Sequence, residues 1–303
     1  ILKNPRHVRI NKNNLKNFSK TIQPIHIKHW LTNSPIDFTK LSEKEKLSFL
    51  VTFNAISFSY WGDPKWTISY RNKKYDGSWG LIACIQRAID EKIHILDPDF
   101  LAELKKSDFQ HIVRGNVEIP LFEERYSILK EVGNVLKNKF KGDFQNILNK
   151  CDNDALKLVE TIINNFPCFK DEYKKGEIVF NKRAQLLVSD IHHMLDSINL
   201  TNIDKITGLA DYKIPQILKR LGIFEYSNLL DSKIQNKTPI DRSSQEEIEI
   251  RASTIHAIEQ IKKEVSRNNP NITSLQINDH LWLLSQKLNR DLDPYHRTRT
   301  TAY

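Results

Sequence analysis

Asp279 stands in the run Ile277-Asn278-Asp279-His280-Leu281-Trp282, between apolar neighbours. A carboxylate so placed is either the N-cap of a helix or a functional group whose pKa its surroundings set. Asp211 lies in Thr207-Gly208-Leu209-Ala210-Asp211-Tyr212-Lys213-Ile214-Pro215-Gln216, a stretch that reads as the turn of a helical hairpin, where an Asp commonly caps the second helix. Asn181-Lys182-Arg183-Ala184-Gln185 puts two cations at the mouth of a helix, where the helix's own positive end repels them. They are at home there if an anion binds at that end, or if both side chains swing into solvent. The C-terminal Pro294-Tyr295-His296-Arg297-Thr298-Arg299-Thr300-Thr301-Ala302-Tyr303 carries His296, Arg297 and Arg299 among hydroxyl groups. It can grip a phosphate if it docks, and is otherwise a solvated tail. The run Phe53-Asn54-Ala55-Ile56-Ser57-Phe58-Ser59-Tyr60-Trp61, with Asp76-Gly77-Ser78-Trp79 after it, is dense enough in rings to stack on a flat heterocycle, or to be plain core.

Other chemistries lack their residues. No Ser-His-Asp elbow and no metal signature is present. His192 and His193 are adjacent, so on a helix their side chains diverge and do not share a metal. The 303 residues hold only nine glycines, about 3% against roughly 7% in an average protein. With no GxGxxG and no GxxxxGK[ST], glycine-loop nucleotide folds are excluded. Cys84, Cys151 and Cys168 are scattered and form no C-x-x-C pair, which argues against a disulfide framework or structural zinc and suits a reducing compartment. No apolar run approaches a membrane span of about 20 residues. The chain begins at Ile1 with a basic stretch (Lys3, Arg6, Arg9) and no apolar segment behind it, leaving room for a short leader; a cytoplasmic location is expected. The formal charge of +9 invites nucleic acid, but the basic residues are interleaved with acids, which reads as solubility rather than a binding stripe.

The elements that must position these residues are mostly helical. Ser42-Glu43-Lys44-Glu45 has the form of a capping box leading into Leu47, Phe49, Leu50 and Phe53, and Ser244–Glu247 a second that opens a helix through about Val265. Asp97-Pro98 starts a helix over 98–106. Apolar stripes mark helices over 121–140 and 184–198. Two stretches look extended: a small hairpin over 66–75 with its tip at Arg71-Asn72-Lys73, and a short strand over 177–180. The expected fold is mainly α, a single domain over 1–303 forming two lobes, with a soft lobe boundary near 115–120 and a small β-hairpin.

In this order, several blocks resemble the queuosine salvage protein family, the queuosine 5′-phosphate N-glycosylases: FNAISFSYW, RNKKYDGSWGL, IPLFEERYSIL, KRAQLLVSD, LADYKIPQILKRLG, EIEIR, the NDHLW segment and the terminal PYHRTR. The resemblance runs from about residue 40 to the C-terminus. It implies a largely helical fold similar to helix-hairpin-helix DNA glycosylases, which place a catalytic Asp shortly after the hairpin. Asn278-Asp279-His280 looks like that element. The hairpin departs from those enzymes in keeping only Gly208, which suits a small nucleotide better than a duplex. The implied reaction is hydrolysis of the N-glycosidic bond of queuosine 5′-monophosphate, releasing queuine and ribose 5-phosphate. Asp279 is the implied catalytic carboxylate. Leu209, Asp211, Tyr212, Trp61 and, of the two N-terminal candidates His26 and His29, the one beside Trp30 (His29) are the implied base contacts. Lys182, Arg183, His296, Arg297 and Arg299 are the groups available for the phosphate and sugar. No metal, no cofactor, no stable nucleic-acid complex and no membrane are expected. A non-catalytic helix-hairpin-helix nucleic-acid module and a DNA base-excision glycosylase are the alternatives.

Overall fold

Several helix starts in this chain are set by side chains that take up the first free amides. Ser42 accepts the Glu45 N–H while the Glu45 carboxylate returns to the Ser42 N–H, completing the expected capping box. At Ser244 only half of the second box forms. Ser244 accepts the Glu247 N–H, but Glu247 turns away to the Ser243 N–H and to the hydroxyls of Tyr173 and Tyr303. Thr273 and Gln276 make a box that the sequence reading did not single out.

The computed structural model describes residues 1–288 and 291–303. Among them the helices are α1 Lys12–Ser19, α2 Glu43–Ala55, α3 Gly77–Asp90, α4 Pro98–Ala102, α5 Lys106–Ile112, α6 Phe122–Phe140 and α7 Gln145–Leu148. Next come α8 Ala155–Asn165, α9 Lys182–Met194, α10 Lys213–Arg220, α11 Asn228–Gln235, α12 Gln245–Val265 and α13 Ser274–Lys287. The expected helix over 98–106 is shorter. It tightens at Glu103, whose N–H reaches both Asp99 and Leu101 carbonyls, and α5 starts separately at Lys106.

Among the described residues three antiparallel pairs of strands complete the fold: β1 Val8–Ile10 with β6 Phe224–Tyr226, β2 Thr67–Tyr70 with β3 Lys73–Asp76, and β4 Glu172–Tyr173 with β5 Ile178–Val179. In the hairpin, Tyr70 pairs with Lys73, so the tip is two residues rather than three. Arg71 and Asn72 both take positive φ (45° and 60°), the twist that a two-residue hairpin turn requires. β1 and β6 had no signal in the sequence, because three residues are too few to show alternation and the partners lie over 200 positions apart.

The fold is thus mainly α with small sheets. Its buried apolar residues form two large clusters. One draws on residues from Trp30 to Leu209 together with Leu275, and includes Val113, Ile119 and Leu121 around the 115–120 segment. The other joins Val8, Leu15 and Ile22 to residues from Ile214 to Leu281. The interior therefore divides near residue 210, and the N-terminal segment crosses over to pack with the C-terminal helices. Trp282 of α13 touches both clusters. The C-terminal segment docks rather than fraying: Ser59 donates its N–H to the Tyr303 carbonyl (2.9 Å) and its hydroxyl to that of Thr300 (2.6 Å), and the Ile240 N–H reaches Arg297 O (2.7 Å).

Candidate active site

At the junction of the two clusters lie two adjoining chambers, about 630 and 360 Å³ including their open mouths. Ser57, Ser78, Lys182, Asp211 and Trp282 line both.

Asp279 lies in the smaller chamber, inside α13 and not at its N-cap, which is Thr273. Only 5% of it is exposed. Burial raises its pKa to about 7; the charge of His29 and the Trp30 backbone N–H pull it down, and Asp190 pushes it up. Its carboxyl is therefore poised near neutrality. Trp30 and Trp282 line the same chamber and pack against Trp79, which lines the larger one, with ring centres 5.2–5.4 Å apart, a wall that favours a flat or apolar guest. Neighbouring Asn278 ties the hairpin turn to α13 by accepting the Leu209 N–H at 3.2 Å.

Asp211 does cap α10: its Oδ1 accepts the N–H groups of Lys213 (2.8 Å) and Ile214 (2.9 Å). It also lines both chambers. Leu209 lines the smaller chamber; Tyr212 lines the larger, its ring 4.7 Å from that of Tyr295. Trp61 does not line either chamber among the described residues; its half-buried ring lies under the Arg297 guanidinium at 5.7 Å.

The cations at the mouth of α9 part ways. Lys182 is buried with its side chain on both chambers, and its backbone N–H goes to Asp171, a carboxylate of the protein itself. Burial lowers its pKa, against the pull of Asp211 and Asp190. Arg183 points elsewhere: its guanidinium donates to the carbonyls of Asn54, Ala55 and Cys168, so it answers the negative end of α2. In the docked tail, His296 is buried with Nε2 3.3 Å from the Tyr303 hydroxyl; burial and the Arg251 charge drive its pKa to about 3, leaving it neutral. Arg297 meets Asp63 at 3.5 Å, and Arg299 faces solvent. The cations that line the larger chamber are instead Lys65, Lys182 and Lys213. Lys65 pairs with Asp76 at 2.6 Å. Burial, and then the charge of Lys65, lower the Lys213 pKa to about 8. The chamber also receives Gly77 and Ser78, the first turn of α3, where the Asp76 side chain makes no cap.

His29 lies outside the lining of both chambers but within electrostatic reach of Asp279. Its ring is buried, Nε2 being 3.3 Å from Asp190 Oδ1. Burial opposes its charge, yet Asp190 and Asp279 together hold its pKa above the ordinary histidine value.

Residues 38–303 match the family described as queuosine salvage protein. The chain belongs to the queuosine salvage protein family. Three relatives carry the name queuosine 5′-phosphate N-glycosylase/hydrolase. One from Sphaerobacter thermophilus is 37% identical over 261 residues, 84% of this chain and 81% of the relative. One from Mus musculus is 34% identical over 281 residues (86% and 83%), and one from Schizosaccharomyces pombe 32% identical over 268 (82% and 77%).

Within this family member, sequence reasoning offered Trp79 for stacking but did not name Lys65, Lys213, Tyr295, Trp30 or Trp282 as site residues. Tyr295, Trp79, Trp282 and Lys213 stand inside quoted blocks, so a signal existed for them. Lys65 lies outside every quoted block, 148 positions from Lys213, and looks like an ordinary surface lysine until the fold joins the two.

Proposed function

We propose that this protein hydrolyses the N-glycosidic bond of queuosine 5′-monophosphate, releasing queuine and ribose 5-phosphate, with Asp279 as the carboxylate of the reaction. Support comes from family membership and from one observation above all: a buried carboxyl poised near neutrality on an aromatic chamber that opens into a lysine-lined one. Breaking an N-glycosidic bond develops positive charge on the sugar. A carboxylate held in a low-dielectric wall stabilises that charge, or orients and deprotonates the water that attacks the anomeric carbon. Queuine is a 7-deazapurine and lacks the ring nitrogen at which purines are protonated as they leave. Its departure must be eased by hydrogen bonds at the other edge, and Asp211 is an acceptor for N–H groups there. The tryptophans cover the ring faces.

For the 5′-phosphate, Lys65, Lys182 and Lys213 with the first turn of α3 supply both point charges and backbone amides. Substituting Asp279→Asn is expected to lower queuine release, followed by mass, by about 100-fold or more, the scale of losing a transition-state group. Near-wild-type turnover removes Asp279 from this role.

A further inference from the structure

Asp190 reaches neither chamber, yet it is a fully buried carboxylate with three partners converging on it. Its Oδ1 accepts Trp30 Nε1–H at 2.8 Å and lies 3.3 Å from His29 Nε2; its Oδ2 accepts Asn54 Nδ2–H at 2.8 Å. The dipeptide His29-Trp30 is thus held by both side chains to one buried carboxylate, while its Trp30 backbone N–H is given to another, Asp279. Helix α9 also clamps the His29 ring from its face: His193, three residues beyond Asp190, stacks on it at 4.6 Å and 13°. His193 is fixed by Nδ1 to the Ser189 carbonyl at 2.8 Å. Burial and then the His29 charge push the His193 pKa to about 4, so the stacked ring is neutral. Both His29 ring nitrogens are buried without a hydrogen bond among the described residues, so the 3.3 Å contact of Nε2 with Asp190 Oδ1 is a charge pair rather than a hydrogen bond. The charged or titratable groups around the ring are Asp190, His192 and His193 on α9 and Asp279 on α13.

We propose that Asp190 is a positioning residue that, by pairing with His29 Nε2, fixes that ring and its charge beside Asp279. A buried carboxylate needs partners to persist, and Trp30 and Asn54 alone would satisfy a purely structural one. The ion pair with a ring that makes no hydrogen bond and is otherwise held only by the stacked His193 is what a structural role leaves unexplained. Through His29, Asp190 favours the ionised form of Asp279; acting directly, it disfavours it. The pull of His29 on Asp279 is the stronger of the two.

The kinetic arm of the test rests on the hydrolase reading above; the spectroscopic arm does not. NMR titration of the His29 ring in the full chain needs no turnover. Asp190→Asn is expected to lower the His29 midpoint by about one pH unit or more, and an unmoved midpoint overturns the proposal. In profiles of kcat/KM against pH, Asp190→Asn should move the acid limb upward, because the stronger influence lost is that of His29. In a His29→Gln background the same substitution should move it downward, since only the like charge then remains to be lost. No movement, or movement in one direction in both backgrounds, overturns the proposal. If Asp190→Asn does not fold, His29→Gln alone decides: it leaves the Trp30 and Asn54 bonds in place, should raise the limb, and with an unmoved limb overturns the proposal. Full activity of Asp279→Asn sinks the hydrolase role of Asp279 instead, and the ring titration still decides the pairing.

Discussion

Asp279 illustrates how a reactive group is kept at a cost in stability. Its folded-state pKa of about 7 stands above the 3.8 of a free side chain, so the fold prefers the neutral acid. Below pH 4 the carboxyl is neutral in both folded and unfolded chains, and the penalty vanishes. As the pH rises from about 4 to 7 the penalty grows, and above 7 it is constant, on the order of 4 kcal/mol from about 1.4 kcal/mol per unit. Asp279→Asn should therefore raise the melting temperature at pH 8 and leave it nearly unchanged at pH 4. A gain of equal size at both values would mean that the ionised carboxylate is not what strains the fold. The same poise predicts that kcat/KM of the native protein rises with pH through a midpoint near 7 if the carboxylate form is the active one, and a profile flat from pH 5 to 8 would contradict it. At this scale the sequence was informative where a residue clashed with its context, as Asp279 does among apolar neighbours and Lys182 at a helix mouth. It was silent on Asp190, which sits at an ordinary place on an amphipathic helix and gains its meaning from Trp30 and His29, some 160 positions away.

Elements bring these residues together by their ends more than by their faces. The first turn of α3 opens into the larger chamber without a side-chain cap, α9 begins beside it with Lys182, and α10 begins beside Asp211. Helix N-termini converging on one cavity favour an anion there. Among the lysines lining the larger chamber, Lys182 alone also lines the smaller one, which makes it the cation to test for phosphate recognition. Lys182→Met is expected to lower kcat/KM for queuosine 5′-monophosphate by roughly 10- to 100-fold, the range of a charged hydrogen bond. Hydrolysis of the unphosphorylated nucleoside should change much less. A loss of equal size on both substrates would place Lys182 outside phosphate recognition. Helix starts were legible because caps are local, as at Ser42 and Asp97. The fate of Arg183 was not: one residue beyond Lys182, it rotates about 100° round the helix and caps the far end of α2.

Across the whole molecule, the site exists only where two interiors meet. The N-terminal strand β1 pairs with β6, and α1 packs on α12, so the beginning of the chain closes the cluster built by its end. Helix α13 supplies Leu275 to one cluster, Ile277 and Leu281 to the other, and Trp282 to both, with Asp279 between them. The docked tail adds Tyr295 and Tyr303 to the chamber wall, and the Tyr303 hydroxyl donates to Glu247 at 3.0 Å beside the buried Arg251–Asp171 pair. None of this crossing was visible in the sequence, since a helix pattern reports which face is buried but not against what. Interleaving of this kind implies that neither cluster can open while the other stays folded. Thermal unfolding should then be a single transition, with far-UV circular dichroism, which follows helices everywhere, coinciding with tryptophan fluorescence, to which Trp282 at the junction and Trp66 within the first cluster both contribute. Because the nucleotide would touch walls drawn from both clusters, a saturating amount should move the whole transition. For Asp279→Asn, which consumes it about 100-fold more slowly, about 100 times Kd corresponds to roughly 2.7 kcal/mol of added stability. Two separated transitions, or ligand protection confined to one probe, would show instead that the chain unfolds as two units divided near residue 210.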